Sequence, residues 1–304
     1  MATGKPSIAD LAEAAVAELE SIVDFVRWGA SRFGEAQLAF GHGTDNAIDE
    51  ALALTLHALG LEPGLPDELL RARLTAAEKR RVVELLVRRV DERIPAAYLT
   101  GYAWFAGLRF RVDPRVLVPR SPIAEWIERG FEPWLEGERV ARVLDVGTGS
   151  GCIAVACAFA FPASSVDAVD VSAGALEVAR RNVAEHGLDD RVRVFESDVY
   201  AAASPPYDLV VSNPPYVDAA TMAGLPREYA HEPAAGLAAG ADGLDVVARL
   251  VDGAKQMLAP GGILVVEVGA SRPALEARYP GLPFVWLELE RGGENVLLLR
   301  AEDL

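Results

Sequence analysis

Several ingredients are scarce in this sequence of 304 residues, and each scarcity removes a class of protein. Only two cysteines occur, Cys152 and Cys157. Both fall in one predicted helix, where five-residue spacing turns them to different faces, so they read as reduced, buried packing residues and not as a disulfide framework. The four histidines, His42, His57, His186 and His231, are scattered without H-E-x-x-H or a comparable spacing, and no metal site is expected. Long apolar runs are absent: the longest, Cys152 to Phe161, is Ala-rich and too short for a bilayer. The first residues carry acids and not a basic region followed by an apolar core, so no membrane association is expected and a cytoplasmic location is. Cations are outnumbered, 29 Lys and Arg against 45 Asp and Glu, for a net charge of −16. That balance disfavours a surface built to hold nucleic-acid phosphates and favours a cationic partner. No internal repeat or low-complexity tract is present.

Apolar residues, in contrast, are plentiful. A hydrophobic fraction of 51% over this length supports one large α/β domain plus a smaller one. The first ninety or so residues read as helices separated by turns. Ser7 is placed to cap a helix carrying Ile8, Leu11, Ala15, Leu19, Ile22 and Val26 at helical spacing, and a loop with Gly41, Gly43, Asp45 and Asn46 follows. A second helix runs through Ile48, Leu52, Leu56 and Leu59 to Gly60, and the capping-box pattern Thr75-Ala76-Ala77-Glu78 opens a third. Basic residues outnumber acids between Arg71 and Arg93. That run could touch RNA, although a solvated helix face is the commoner meaning of such a pattern.

Ala103-Trp104-Phe105 and Leu108 to Val112 flank Ala106-Gly107, which fits a short bridging β-hairpin. In Val116 to Pro122, Ser121 and Pro122 suit the cap and first position of a further helix. From Arg139 onward strands alternate with helices, the pattern of a doubly wound parallel sheet. Strands are expected at 140–146, 165–171, 191–196, 207–212 and 262–268, with helices at 153–161, 173–186 and 245–258. Two last strands, 284–289 and 295–299, are expected to form an antiparallel hairpin around Gly292-Gly293. The boundaries predicted are a helical domain over 1–95, a hairpin linker over 96–121 and the α/β domain over 122–304.

The residues able to carry chemistry fall at successive strand ends, where open α/β sheets bind ligands. Asp145-Val146-Gly147-Thr148-Gly149-Ser150-Gly151 joins the first strand to its helix, with glycines at alternate positions that let a ligand approach the backbone. The spacing Gly-x-Gly-x-Gly differs from the dinucleotide pattern, so phosphate binding is not required. Asp170 ends the second strand, where an acid can accept both ribose hydroxyls of a nucleoside, and Ser197-Asp198-Val199 ends the third, placed to meet an adenine edge and face. Asn213-Pro214-Pro215-Tyr216 follows the fourth. Its two prolines remove two backbone donors and fix φ, so an amide oxygen and a free carbonyl stand together as a double acceptor. Taken singly, each has a plainer reading: glycines for helix packing, Asp170 as a helix cap, Asp198 and the Asn-Pro pair as turn residues.

Together the Gly-rich loop, Asp170, Asp198 and Asn213-Pro214-Pro215-Tyr216 resemble the S-adenosylmethionine-dependent class I methyltransferases that modify planar nitrogens. With the helical domain, the hairpin and Val118-Pro119-Arg120, the chain is similar more narrowly to the protein-glutamine N5-methyltransferases. One branch of that family modifies peptide release factors and usually continues Pro-Arg with Pro-Glu-Thr-Glu. Here the residues are Pro119-Arg120-Ser121-Pro122-Ile123, as in the branch acting on large-subunit ribosomal protein three. Gly41 to Asn46, Ala103 to Phe105, Tyr279-Pro280 and Gly292-Gly293-Glu294-Asn295-Val296 agree with that branch.

The resemblance implies a class I methyltransferase fold binding S-adenosylmethionine through Asp145, Gly147, Thr148, Gly149, Ser150, Gly151, Asp170, Asp198, Val199 and Asn213, with Phe105 and Arg120 as further pocket residues. It implies that Asn213 and Pro214 hold the two hydrogens of a glutamine amide while Pro215 and Tyr216 pack against it. The substrate expected is a basic ribosomal protein, with ribosomal RNA a further contact for residues 71–93. The rivals are release-factor methylation, DNA adenine methylation, for which no base-reading domain is visible, and a non-catalytic ribosome assembly factor.

Overall fold

The computed structural model describes residues 7–292 and 295–304, in two compact units. One runs up to Gly101 and takes in Pro226–His231; the other holds Tyr102–Leu225 and Glu232–Leu304.

The first unit is helical: α1 (Ile8–Glu18), α2 (Ile22–Glu35), α3 (Ala47–Leu59), α4 (Ala76–Glu92) and α5 (Ala96–Thr100). The single helix expected across Ile8 to Val26 is two. Leu19 is extended, and Ser21 starts afresh with a capping box in which its hydroxyl accepts the Asp24 N–H while Asp24 accepts the Ser21 N–H. Apolar spacing carries through the break because both helices face one core, built on Phe25, Phe33, Leu54 and Leu86. Gly29 lets α2 approach closely, since a Cβ there would lie 2.9 Å from the Leu86 side chain. Thr75 and Glu78 form the expected box at the start of α4. Within the basic run, Arg89 is fully buried against Glu50 at 2.6 Å, and Arg93 bonds the Ala36 and Gln37 carbonyls and Glu228. These two cations serve the unit's interior.

The second unit opens with the hairpin β1 (Tyr102–Phe105) and β2 (Leu108–Arg111), followed by α6 (Ile123–Glu128). Then come β3 (Arg142–Val146), α7 (Cys152–Ala160), β4 (Ser165–Asp170), α8 (Ala173–Glu185), β5 (Val192–Glu196), β6 (Tyr207–Ser212), α9 (Ala219–Met222), α10 (Asp245–Met257), β7 (Leu258–Glu267), α11 (Arg272–Arg278), β8 (Val285–Trp286) and β9 (Val296–Arg300). The sheet order is β5-β4-β3-β6-β7-β9-β8; β5 through β7 are parallel, β9 is antiparallel to β7, and β8 is antiparallel to β9. Alternate residues serve opposite faces, as period two requires. Val143, Leu209, Val211, Ile263 and Val265 join the core under α6 and α7, whereas Leu144, Val210, Leu264 and Val266 join the one under α10 and α11. Both cysteines are buried in α7. The last strands are antiparallel as expected, though β8 is only two residues long; of the turn predicted between them, Gly293 and Glu294 lie outside the described residues. Among the described residues no helix is long and apolar enough to cross a membrane.

Strand order reverses between β3 and β6, whose successors pack on opposite faces. This switch point opens a crevice beyond their carboxyl ends. Both the Gly-rich turn after β3 and Asn213 after β6 border it.

Candidate active site

A cavity of about 250 Å³ occupies the crevice. Gly147 to Ser150, Asp170, Asp198, Val199, Asn213, Pro215 and Arg120 all line it, together with Leu117, Ile153, Pro233 and Val246, which the sequence did not point to.

The Gly-rich turn has left-handed backbone at all three glycines, with φ of 72°, 55° and 82° at Gly147, Gly149 and Gly151. A side chain is disfavoured there on conformation alone. An added Cβ at Gly147 would meet nothing within 4 Å, so the turn leaves open space on the cavity side, whereas one at Gly151 would press on Ala179 of α8 at 3.3 Å. The plain packing role predicted for such glycines thus belongs to Gly151, and the cradle to the other two. Asp145 stands behind the turn: it is buried, accepts the Thr148 hydroxyl at 2.6 Å and the Ala154 N–H at 3.1 Å, and does not line the cavity. Burial pushes its carboxyl up to about 7, against those two hydrogen bonds. Buried Asn182 of α8, which the sequence gave no reason to select, joins the Ser150 carbonyl to the β2 backbone at Arg111.

Asp170 accepts the Gly149 N–H at 3.0 Å on one oxygen and the Ser172 N–H at 2.9 Å on the other. It therefore fixes the turn and still has lone pairs for a ligand, because a carboxylate offers about four acceptor sites. Asp198 is paired with Arg249 at 2.8 Å, and that hydrogen bond holds its carboxyl below the usual range. Val199 is buried against the cavity with φ of 52°.

Phe105 is not brought to the cavity. It is buried beside Phe110, ring centroids 6.4 Å apart, in the core under α7, because the hairpin turns that face inward. Arg120 does reach the cavity, and its guanidinium is held in a fork by Glu232, at 2.7 and 2.8 Å. Ser121 accepts the Ile123 N–H at 3.3 Å and donates to Glu267 at 2.6 Å, while α6 begins one residue after Pro122.

Asn213 directly follows β6, whose last residue, Ser212, donates its hydroxyl to the Val146 carbonyl at 2.7 Å. The Asn213 Oδ1 is buried and has no hydrogen-bond partner in the structure. A buried acceptor without a donor costs roughly 1–3 kcal/mol, so its retention points to a donor brought by a ligand. Pro215 faces the cavity; Pro214 and Tyr216 do not line it. The Tyr216 hydroxyl instead donates to Glu267 at 2.6 Å. Among the described residues no group of three or more His, Cys, Asp or Glu is placed to hold a metal ion.

A doubly wound sheet with one antiparallel strand near its edge, a glycine cradle at the first strand and Asn-Pro-Pro-Tyr at the fourth make the second unit a class I methyltransferase domain. Residues 133–227 match the Methyltransferase small domain family. Over 94% of its length the chain is 50% identical to the ribosomal protein uL3 glutamine methyltransferase of Bordetella pertussis, covering 97% of that protein, and it is 50% identical over 96% to the one of Xanthomonas campestris, covering 94%. The chain belongs to the ribosomal protein uL3 glutamine methyltransferase family. Among solved structures, a methyltransferase from Pyrococcus furiosus is similar over 64% of this chain and 89% of that one, at 21% identity and a TM-score of 0.47.

Proposed function

We propose that this enzyme methylates the side-chain nitrogen of a glutamine in ribosomal protein uL3, using S-adenosylmethionine as methyl donor. The buried, unpartnered Oδ1 of Asn213, a residue that lines the cavity, is the observation that carries this reading. The extent of identity to the uL3 enzymes supports the choice of substrate.

The residues fit the cofactor. Gly147 and Gly149 leave open space at the first turn, Asp170 retains acceptor capacity for ribose hydroxyls, and Val199 and Ile153 offer apolar surface to a base. When bound, the cofactor supplies an electrophilic methyl group on a sulfonium. The chain supplies position. A glutamine amide nitrogen is a poor nucleophile because its lone pair is delocalised into the carbonyl. The Asn213 Oδ1 accepts one amide hydrogen, and the carbonyl of Pro214, which stands between the cavity-lining Asn213 and Pro215, is assigned the other, which fixes the nitrogen and directs its lone pair. Pro215, on the cavity wall, packs against the flat amide.

The helical segment 1–95 is assigned to substrate recognition, and the net charge of −16 suits a basic substrate. Ribosomal RNA contact along 71–93 falls to exposed Arg71 and Arg80, since Arg89 and Arg93 are committed inside and exposed Arg73, Arg81 and Arg88 already bond Glu20, the Ala58 carbonyl and Glu92. Purified enzyme with labelled S-adenosylmethionine is offered uL3, a release factor and duplex DNA in separate reactions. Label on uL3 alone is expected; label on the release factor alone overturns the assignment.

A further inference from the structure

Tyr216 is gripped at three points by the end of β7 and the residues after it. Its hydroxyl donates to Glu267 Oε1 at 2.6 Å, its carbonyl accepts the Ser271 hydroxyl at 3.0 Å, and its ring lies so close to Gly269 that a Cβ there would come within 2.5 Å of it. Asn295 in turn donates to the Gly269 carbonyl at 2.8 Å. The other oxygen of Glu267 accepts the Ser121 hydroxyl at 2.6 Å, from the cavity wall. Glu267 is buried, and both contacts have the short length of hydroxyl-to-carboxylate bonds. Between Asn213 and Tyr216 stand only two prolines, whose φ is fixed, so the segment has few torsions of its own. Ser212 anchors it before Asn213 and Glu267 after.

We propose that Glu267 is a positioning residue for methyl transfer: by joining Tyr216 to Ser121 it sets the Asn213 acceptor against the cavity wall. The proposal rests on the reaction assigned above and gives Tyr216 an anchoring role in place of direct amide packing. Glu267 itself does not line the cavity.

Two measurements on the full chain test it. In Glu267→Ala, kcat on uL3 is expected to fall about 10- to 100-fold, with the Kd for S-adenosylmethionine within about threefold, since misplacing a reacting group by about 1 Å costs that much. Glu267→Gln keeps an acceptor for Tyr216 and an amide for Ser121, and should recover most of the rate. Hydrogen exchange at Tyr216 and Val217 should quicken in Glu267→Ala while 207–212 stays protected. Unchanged kcat and exchange in Glu267→Ala overturn the proposal, as does a joint loss of rate and cofactor affinity that Glu267→Gln does not recover. A wild-type enzyme inactive on uL3 overturns the substrate reading instead, and the exchange measurement then decides the role of Glu267 alone.

Discussion

Arg120 and Glu232 meet through two hydrogen bonds, Nη1 to Oε1 at 2.7 Å and Nη2 to Oε2 at 2.8 Å, and Oε1 also accepts the Val118 N–H at 3.0 Å. Glu232 has a fully buried side chain, whereas that of Arg120 is 22% exposed, on the cavity wall. One carboxylate thus orders both the backbone and the cation of the Val118-Pro119-Arg120 stretch. Glu232→Ala should lower stability by about 2–4 kcal/mol, a little less than the roughly 3–5 kcal/mol for removing one partner of a fully buried pair, because Arg120 is partly exposed. Arg120→Lys cannot restore the fork, because an ammonium is a point charge and not a planar pair of donors. Its expected effect is a roughly tenfold weaker S-adenosylmethionine affinity at nearly unchanged stability, checked by calorimetric titration beside a urea curve.

Asn213→Ala should leave the fold in place and reduce methyl transfer about 10²- to 10³-fold, the range for loss of one preorganised hydrogen-bonding group in a reacting centre, with cofactor affinity changing far less than the rate. Removing an acceptor that has no partner in the structure costs the protein little, so stability should rise or hold. Asn213→Asp keeps an acceptor but introduces a charge beside the cofactor site, and both affinity and turnover should change. Single-turnover methylation with a parallel binding isotherm separates the two. A full rate in Asn213→Ala would sink the clamp.

Asp145 gives a pH signature. Burial raises its carboxyl from 3.8 to about 7, so between those values the folded chain holds a proton that the unfolded chain has released. Stability from this group is therefore present below about pH 4, declines as pH rises through the window, and stays at its lower level above 7. The slope within the window approaches about 1.4 kcal/mol per pH unit. Asparagine cannot titrate. The stability of wild type relative to Asp145→Asn should fall steadily from pH 5 to pH 7 and level off beyond, in urea midpoints of both proteins; a constant difference would contradict it.

Much of this site was legible because its parts are local. The glycine turn, Asp170 and Asn213 each sit within one or two residues of an apolar, β-branched strand, and the sheet brings strand ends together without further instruction. What escaped depends on partners distant in sequence. Glu232 is 112 positions from Arg120, and Glu267 is 146 from Ser121 and 51 from Tyr216. No spacing rule connects such residues, and an isolated glutamate near a strand end has no pattern of its own. Phe105, which only the resemblance placed at the pocket, sits on the face of β1 that alternation turns into the core under α7, and a resemblance carries no information on that packing. The break at Ser21 was readable from Ser21 and Asp24, a capping pair overshadowed by apolar spacing that continues across it.

Within the helical unit, Arg89 and Glu50 are both fully buried, 2.6 Å apart, and Arg89 also donates to the Ala39 carbonyl at 2.9 Å and lies 3.5 Å from Glu228. The Thr44 hydroxyl donates to the second Glu50 oxygen at 2.7 Å, which ties the Gly41 to Asn46 loop to α3 and, through Arg89, to α4. Glu50→Ala should then cost about 3–5 kcal/mol, while the double replacement Glu50→Leu with Arg89→Met should recover most of it, because desolvating a pair offsets much of its attraction. An RNA-contact role predicts a different ranking, for Arg71 in the short turn before α4 and Arg80 on α4 itself. Arg71→Ala with Arg80→Ala would leave stability within about 0.5 kcal/mol, since both are exposed, yet weaken salt-dependent RNA binding. Denaturation curves for the first set and filter binding at two salt concentrations for the second read the two roles separately; RNA affinity unmoved by the surface pair would leave α4 as a structural helix alone.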